Sequence, residues 1–146
     1  MNIIRTELQV ALHDLHVAVQ ESADHYRDSA EFLDDEPVSQ LLVEIADERE
    51  QLAQKFEQAI RATDDLPAAP DADRETGEQL IHRLRSLFSS DQTEDVLNQR
   101  LEAEDALAQM LTDAREAELG AEYEALRQAF ADQVRSARTR LEKAKA

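Results

Sequence analysis

Residues 41–56 read LLVEIADEREQLAQKF, with apolar side chains at Leu42, Ile45, Leu52 and Phe56. With Arg49 included, the steps between them run three, four, three and four residues. That spacing keeps one stripe on one side of an α-helix, because the helix repeats every 3.6 residues. A half-buried strand would need alternation at every second position, which this stretch lacks. The stripe has one discordant member. Arg49 falls on the inner face, in step with Ile45, Leu52 and Phe56, so the helix is expected to pack in a bundle with a charge near its centre.

The same periodicity extends outward in both directions. Upstream, Ile4, Leu8, Leu12, Leu15, Val19, Tyr26, Ala30 and Leu33 hold one helical face for roughly eight turns. Asp34, Asp35 and Glu36 interrupt it before Pro37, which disfavours helix in the residue ahead and suits the first turn of the helix that follows. So short a connection makes the first two helices an antiparallel hairpin. Downstream, residues 63–79 (TDDLPAAPDADRETGEQ) hold two prolines, a glycine and four aspartates and show no period, as a bundle crossover does. Leu80, Ile81, Leu84, Leu87 and Phe88 then give a short amphipathic helix, closed by Ser89-Ser90-Asp91.

A third helix is expected from Thr93, as a capping hydroxyl followed by Glu94 and Asp95 in the first turn. Its inner face is Val96 or Leu97, Leu101, Leu107 or Ala108, and Leu111. Gly120 is the expected left-handed cap at its end. A fourth helix carries Tyr123, Leu126, Phe130, Val134, Ala137 and Leu141 inward. The expectation is a single all-α domain over residues 1–146, an antiparallel four-helix bundle. Its helices fall at about 3–34, 37–62, 93–117 and 120–143. The crossover is 63–92, with the short extra helix at about 77–88.

Composition agrees with that class and narrows the function. Of 146 residues 42% are apolar but only 4% aromatic, with two glycines and three prolines, too few turn formers for an all-β fold. Asp and Glu number 33 against 16 Lys and Arg, a net charge of −17. Such a chain repels nucleic-acid phosphates and anionic membrane surfaces, so neither is an expected partner. With no cysteine, disulfides, thiolate metal sites and cysteine nucleophiles are excluded. No apolar run near the N-terminus suits a signal peptide or a membrane span, which makes the cytoplasm the default location. Two glycines cannot build a phosphate-cradling loop, and no Gly-x-Ser-x-Gly surrounds Ser89 or Ser90.

Several motifs carry a resemblance. The first helix ends in Tyr26-x-x-x-Ala30-Glu31, and the second contains Ile45-Ala46-Asp47-Glu48-Arg49. The crossover contains Gly77-Glu78-Gln79-Leu80-Ile81-His82-Arg83, and the third helix has Val96-Leu97 followed by Ala103-Glu104-Asp105. With these the chain resembles the ferritin-like superfamily. More closely, it is similar to a bacterial family of four-helix bundles known only as a domain of unknown function. The resemblance implies a ferritin-like fold, and either a protein-interaction or stress-related role or an iron-handling, oxidoreductase chemistry. Two departures are visible. Glu21-Ser22 and His25 stand where that family's first helix carries an acid-Gly pair and a further Gly. No Glu-x-x-His, the di-iron signature of such bundles, occurs in the sequence.

Height along the bundle gathers the candidate residues. Ser22 and Arg49 lie equally far from the first hairpin turn, and Glu104 and Gln133 from the second, about 20 Å at ~1.5 Å per residue. The layer at this height comprises Glu21, Ser22, His25, Glu48, Arg49, Glu104 and Gln133. It admits two readings. In one, Glu21, His25, Glu48 and Glu104 ligate iron or manganese, three carboxylates and an imidazole being a suitable donor set. In the other, which we prefer, Arg49 pairs with Glu104 and Glu21 as a structural polar layer. No metal or other cofactor is then required, and the reading leans against an enzyme without deciding it. Arginine's planar fork suits such a pair, whereas a fixed guanidinium beside divalent metals is electrostatically unfavourable. His13 and His16 are expected on the polar, exposed side of the first helix. His82, Arg83 and Arg85 are read as solvated. Apolar residues left uncovered, such as Ile3, Ile4, Leu66 and Phe88, would mark a homodimer seam.

Overall fold

The structure is a computed structural model that describes residues 6–67, 92–113 and 119–145. These residues form four helices: α1 (Glu7–Phe32), α2 (Glu36–Ala62), α3 (Gln92–Asp113) and α4 (Gly120–Lys145). The fold class is all-α, and no strand occurs among the described residues.

Local chemistry sets the helix ends. Thr6 opens α1 with a capping box. Its hydroxyl accepts from the Gln9 amide at 3.1 Å, and the Gln9 side chain accepts from the Thr6 amide at 2.9 Å, satisfying two donors that the first turn leaves free. The first helix therefore begins at Glu7 rather than near residue 3. It stops at Phe32, because Leu33 is already extended. Asp35 caps α2 by accepting from the Val38 amide at 3.2 Å, and Pro37 sits in the first turn. The Ser39 hydroxyl donates to the Ala30 carbonyl at 2.8 Å, tying the two sides of the turn together. Thr93, expected as a cap, lies inside α3, which starts one residue earlier. Gly120 has φ +69° and leads directly into α4.

Two apolar clusters fill the interior. One joins Tyr26, Ala30 and Leu33 of α1 and its turn to Val38, Leu42 and Ile45 of α2, Val96, Leu97 and Leu101 of α3, and Ala137 and Leu141 of α4. The other joins Leu12, Leu15 and Val19 to Leu52, Phe56 and Ile60, with Leu111, Phe130 and Val134. Each fully buried aliphatic or aromatic side chain contributes on the order of 1.5–3 kcal/mol. The late residues of α1 thus meet the early residues of α2 and α3 and the late residues of α4. Neighbouring helices are antiparallel, while α2 and α3 run the same way. The end of α2 and the start of α3 consequently lie at opposite ends of the bundle. Within the ring, α1 packs closely on α2 and α3 on α4, α2 also meets α4, and α1 touches α3 only lightly.

The expected short helix at 77–88 lies outside the described residues, as do Ile3, Ile4, His82, Arg83, Arg85, Phe88 and the expected last turn of the third helix. Leu66 is described and is 72% exposed. No helix among the described residues is long and apolar enough to cross a membrane.

Candidate functional site

The break between the two apolar clusters is where Arg49 enters the interior. Position 49 belongs to the inward stripe of α2, so packing of the surrounding apolar residues carries its side chain inside with them. Arg49 and Glu104 are both 0% exposed. Burying one unpaired charge is prohibitive, and a buried pair is tolerable when geometry and hydrogen bonding are good. Here both conditions are met. The Arg49 NH2 donates to Glu104 Oε1, and NH1 donates to Glu104 Oε2 at 3.2 Å and to the Ser22 hydroxyl at 2.9 Å. One guanidinium therefore joins α2 to α3 and α1 at once.

Aromatic faces complete the enclosure. The Arg49 Cζ lies 5.7 Å from the Tyr26 ring centroid and 5.6 Å from that of Phe130. Contacts of this kind are worth about 0.5–2 kcal/mol each, more where water is excluded. Phe130 also meets Phe56 edge-on, with centroids 6.3 Å apart. A second buried guanidinium, Arg100, lies 5.3 Å from the Tyr26 centroid. The Tyr26 hydroxyl and the Arg49 Nε have no hydrogen-bond partner among the described residues. Burial first, and then the Glu104 charge, pushes the Tyr26 phenol well above its ordinary pKa.

The remaining candidates separate. Glu21, expected beside Arg49, instead has its carboxylate 4.0 Å from His25 Nε2, one turn along the same helix. Ser22 supplies the oxygen on Arg49. Glu48 turns outward to α4, where Arg140 grips it with two bonds of 2.8 and 2.9 Å. That contact raises the Arg140 pKa. Gln133 donates from Nε2 to the Glu48 carbonyl at 3.2 Å. Glu21, His25, Glu48 and Glu104 do not converge, and no group of three acidic, histidine or cysteine side chains among the described residues is placed to hold a metal ion.

Two histidines are misplaced by the sequence reading. His13 and His16 are buried, at 6% and 5% exposure. His13 Nε2 is 2.9 Å from Asp65 Oδ2, and His16 Nε2 is 3.3 Å from Glu57 Oε1. With Gln9 donating to the Thr63 carbonyl at 2.9 Å, they fasten the end of α2 against the start of α1. Their partners lie 52 and 41 residues away, and the only local signal was their mutual three-residue spacing.

Fold and site together define a four-helix bundle whose centre is a buried arginine–carboxylate pair. The chain belongs to the family described as Domain of unknown function (DUF2383), whose sequence model matches residues 8–117. No curated protein and no solved structure matches it.

Proposed function

We propose that this chain is a non-enzymatic bundle of the ferritin-like kind, acting through protein contacts in an interaction or stress-related role in the cytoplasm. In this reading the Arg49–Glu104 pair stands at the height where a ferritin-like bundle holds its two metals. The observation that carries it is the complete burial of Arg49 with its fork on both oxygens of Glu104. A fixed positive charge in a water-poor interior opposes entry of a divalent cation there, because the repulsion is weakly screened. Glu48, the neighbouring acid, is engaged by Arg140. The −17 charge supports a partner that is neither nucleic acid nor an anionic membrane.

Metal content is the test. Protein purified with iron or manganese added is expected to retain far less than one equivalent, with no change in melting temperature. Stoichiometric metal that disappears in Glu104→Ala would overturn the proposal in favour of an iron-handling or oxidoreductase bundle.

A further inference from the structure

The loosest contact in the ring is the one between α1 and α3, and a groove of about 460 Å³ opens along it. Ala11, Leu15, Ala106 and Met110 give it an apolar lining, and Asp14 and Asp113 stand at its rims. Leu15 and Ala11 are buried, whereas both aspartates are exposed. Val10, one turn before Asp14 on the same side of α1, is 47% exposed. The size suits an anchoring side chain or two, and Met110 supplies a side chain that adapts to varied shapes.

Charge says what fits there. The two flanking helices each carry six acidic side chains and a single arginine. A second copy of this chain, itself at −17, is a poor occupant. Among the described helices only α4 has more basic than acidic groups, and its Arg127, Arg135, Arg138 and Arg140 are already engaged with Glu124, Asp132, Asp105 and Glu48, which leaves only the two lysines of its last turn. An acidic or neutral partner gains nothing from the rims. We infer that the α1–α3 groove docks a cationic amphipathic helix of another protein, its apolar anchor on Leu15 and Met110 and its Arg or Lys flanks on Asp14 and Asp113. This inference rests on the interaction role proposed above, and its failure would leave the metal-content result standing.

The chain contains no tryptophan, so a peptide can carry the signal. A short synthetic amphipathic helix of leucine and arginine with one tryptophan is titrated with the full chain. The expected result is a blue shift of the tryptophan emission with saturable binding. Reversing both rims, Asp14→Lys with Asp113→Lys, is expected to weaken binding by about tenfold or more, and Met110→Glu to abolish the blue shift. Glu44→Lys with Glu142→Lys changes the net charge equally on exposed positions of α2 and α4, helices that do not line the groove, and is expected to leave affinity within about twofold. Equal losses in the two double variants would mean attraction of a polycation to an acidic chain and would overturn the inference. So would a titration without binding, or a homodimer that Asp14→Lys dissociates.

Discussion

Arg49 and Glu104 form a two-pronged ion pair with neither residue exposed, across 55 residues of sequence and between the two hairpins of the bundle. The pair is weak evidence for stability, because desolvation of two charges offsets most of their attraction. It is strong evidence for a fixed arrangement. Sliding one hairpin past the other by a turn would leave each charge facing the apolar clusters with no partner.

The consequence is a strongly non-additive double mutant. Arg49→Leu and Glu104→Leu singly are each expected to cost about 3–5 kcal/mol, since each strands a buried charge, while the double variant is expected to fall near the wild type or above it. Urea denaturation of the four proteins gives the coupling. A loss for Arg49→Leu no larger than that of a surface substitution would remove the basis for a structural polar layer.

Tyr26 makes the same centre sensitive to alkali. Its phenol is held above the ordinary value of 10 by burial and then by Glu104. Below that value both the folded and unfolded chains keep the proton, so Tyr26 adds no pH dependence. Above it the unfolded chain ionises first and the native one resists. Stability then falls by up to about 1.4 kcal/mol per pH unit until the folded phenol itself ionises. Denaturation midpoints between mild and strong alkali are expected to decline less steeply in Tyr26→Phe. At neutral pH that variant is expected to change stability by no more than about 1 kcal/mol, the usual net worth of a single hydroxyl's hydrogen bonding.

Much of this architecture was legible in the sequence because it follows from period. Leu42, Ile45, Leu52 and Phe56 repeat at helical spacing, and all four are buried. Pro37 marked the start of α2 through backbone chemistry that depends on one residue, and Gly120, expected as the left-handed cap closing the third helix, has the left-handed φ but stands as the first residue of α4. Arg49 was legible for a different reason: a charge in register with apolar residues has to go where they go. Its acceptor was harder to fix. Glu21 and Ser22 differ in height by only one residue's rise but point about 100° apart around α1, and chain counting resolves height better than azimuth. His13 and His16 were misread because the acids that hold them are distant in sequence, Glu57 in the last turns of α2 and Asp65 just beyond its end. Arg100 gave no signal as a core residue, and it is buried with its guanidinium over the Tyr26 face supplied by α1.

A second link between the hairpins is partly solvated and behaves differently. Glu48 and Arg140 are paired by two hydrogen bonds, with side-chain exposures of 41% and 27%. Solvent screening reduces such a pair to roughly 0.2–1 kcal/mol. Glu48→Ala is therefore expected to cost no more than about 1 kcal/mol in dilute buffer, and less in molar salt, where the screening length shortens to about 3 Å. The Arg49–Glu104 coupling, shielded from ions, is expected to change little over the same salt range. A parallel salt titration of the Arg49–Glu104 cycle and of Glu48→Ala against the wild type checks the contrast.

Gly120 isolates a backbone effect from packing. Its φ of +69° lies in the left-handed region, yet a β-carbon there would meet nothing within 4 Å. Any cost of Gly120→Ala is then conformational, about 1–2 kcal/mol for an L-residue held in that region. Because Leu119 and α4 follow from the turn it makes, the loss is expected in the denaturation midpoint with the slope against denaturant unchanged. Asn tolerates the left-handed region better than Ala, so Gly120→Asn is expected to recover part of the loss. Equal destabilisation by both substitutions would point to a steric conflict, which the open surroundings of this glycine do not supply.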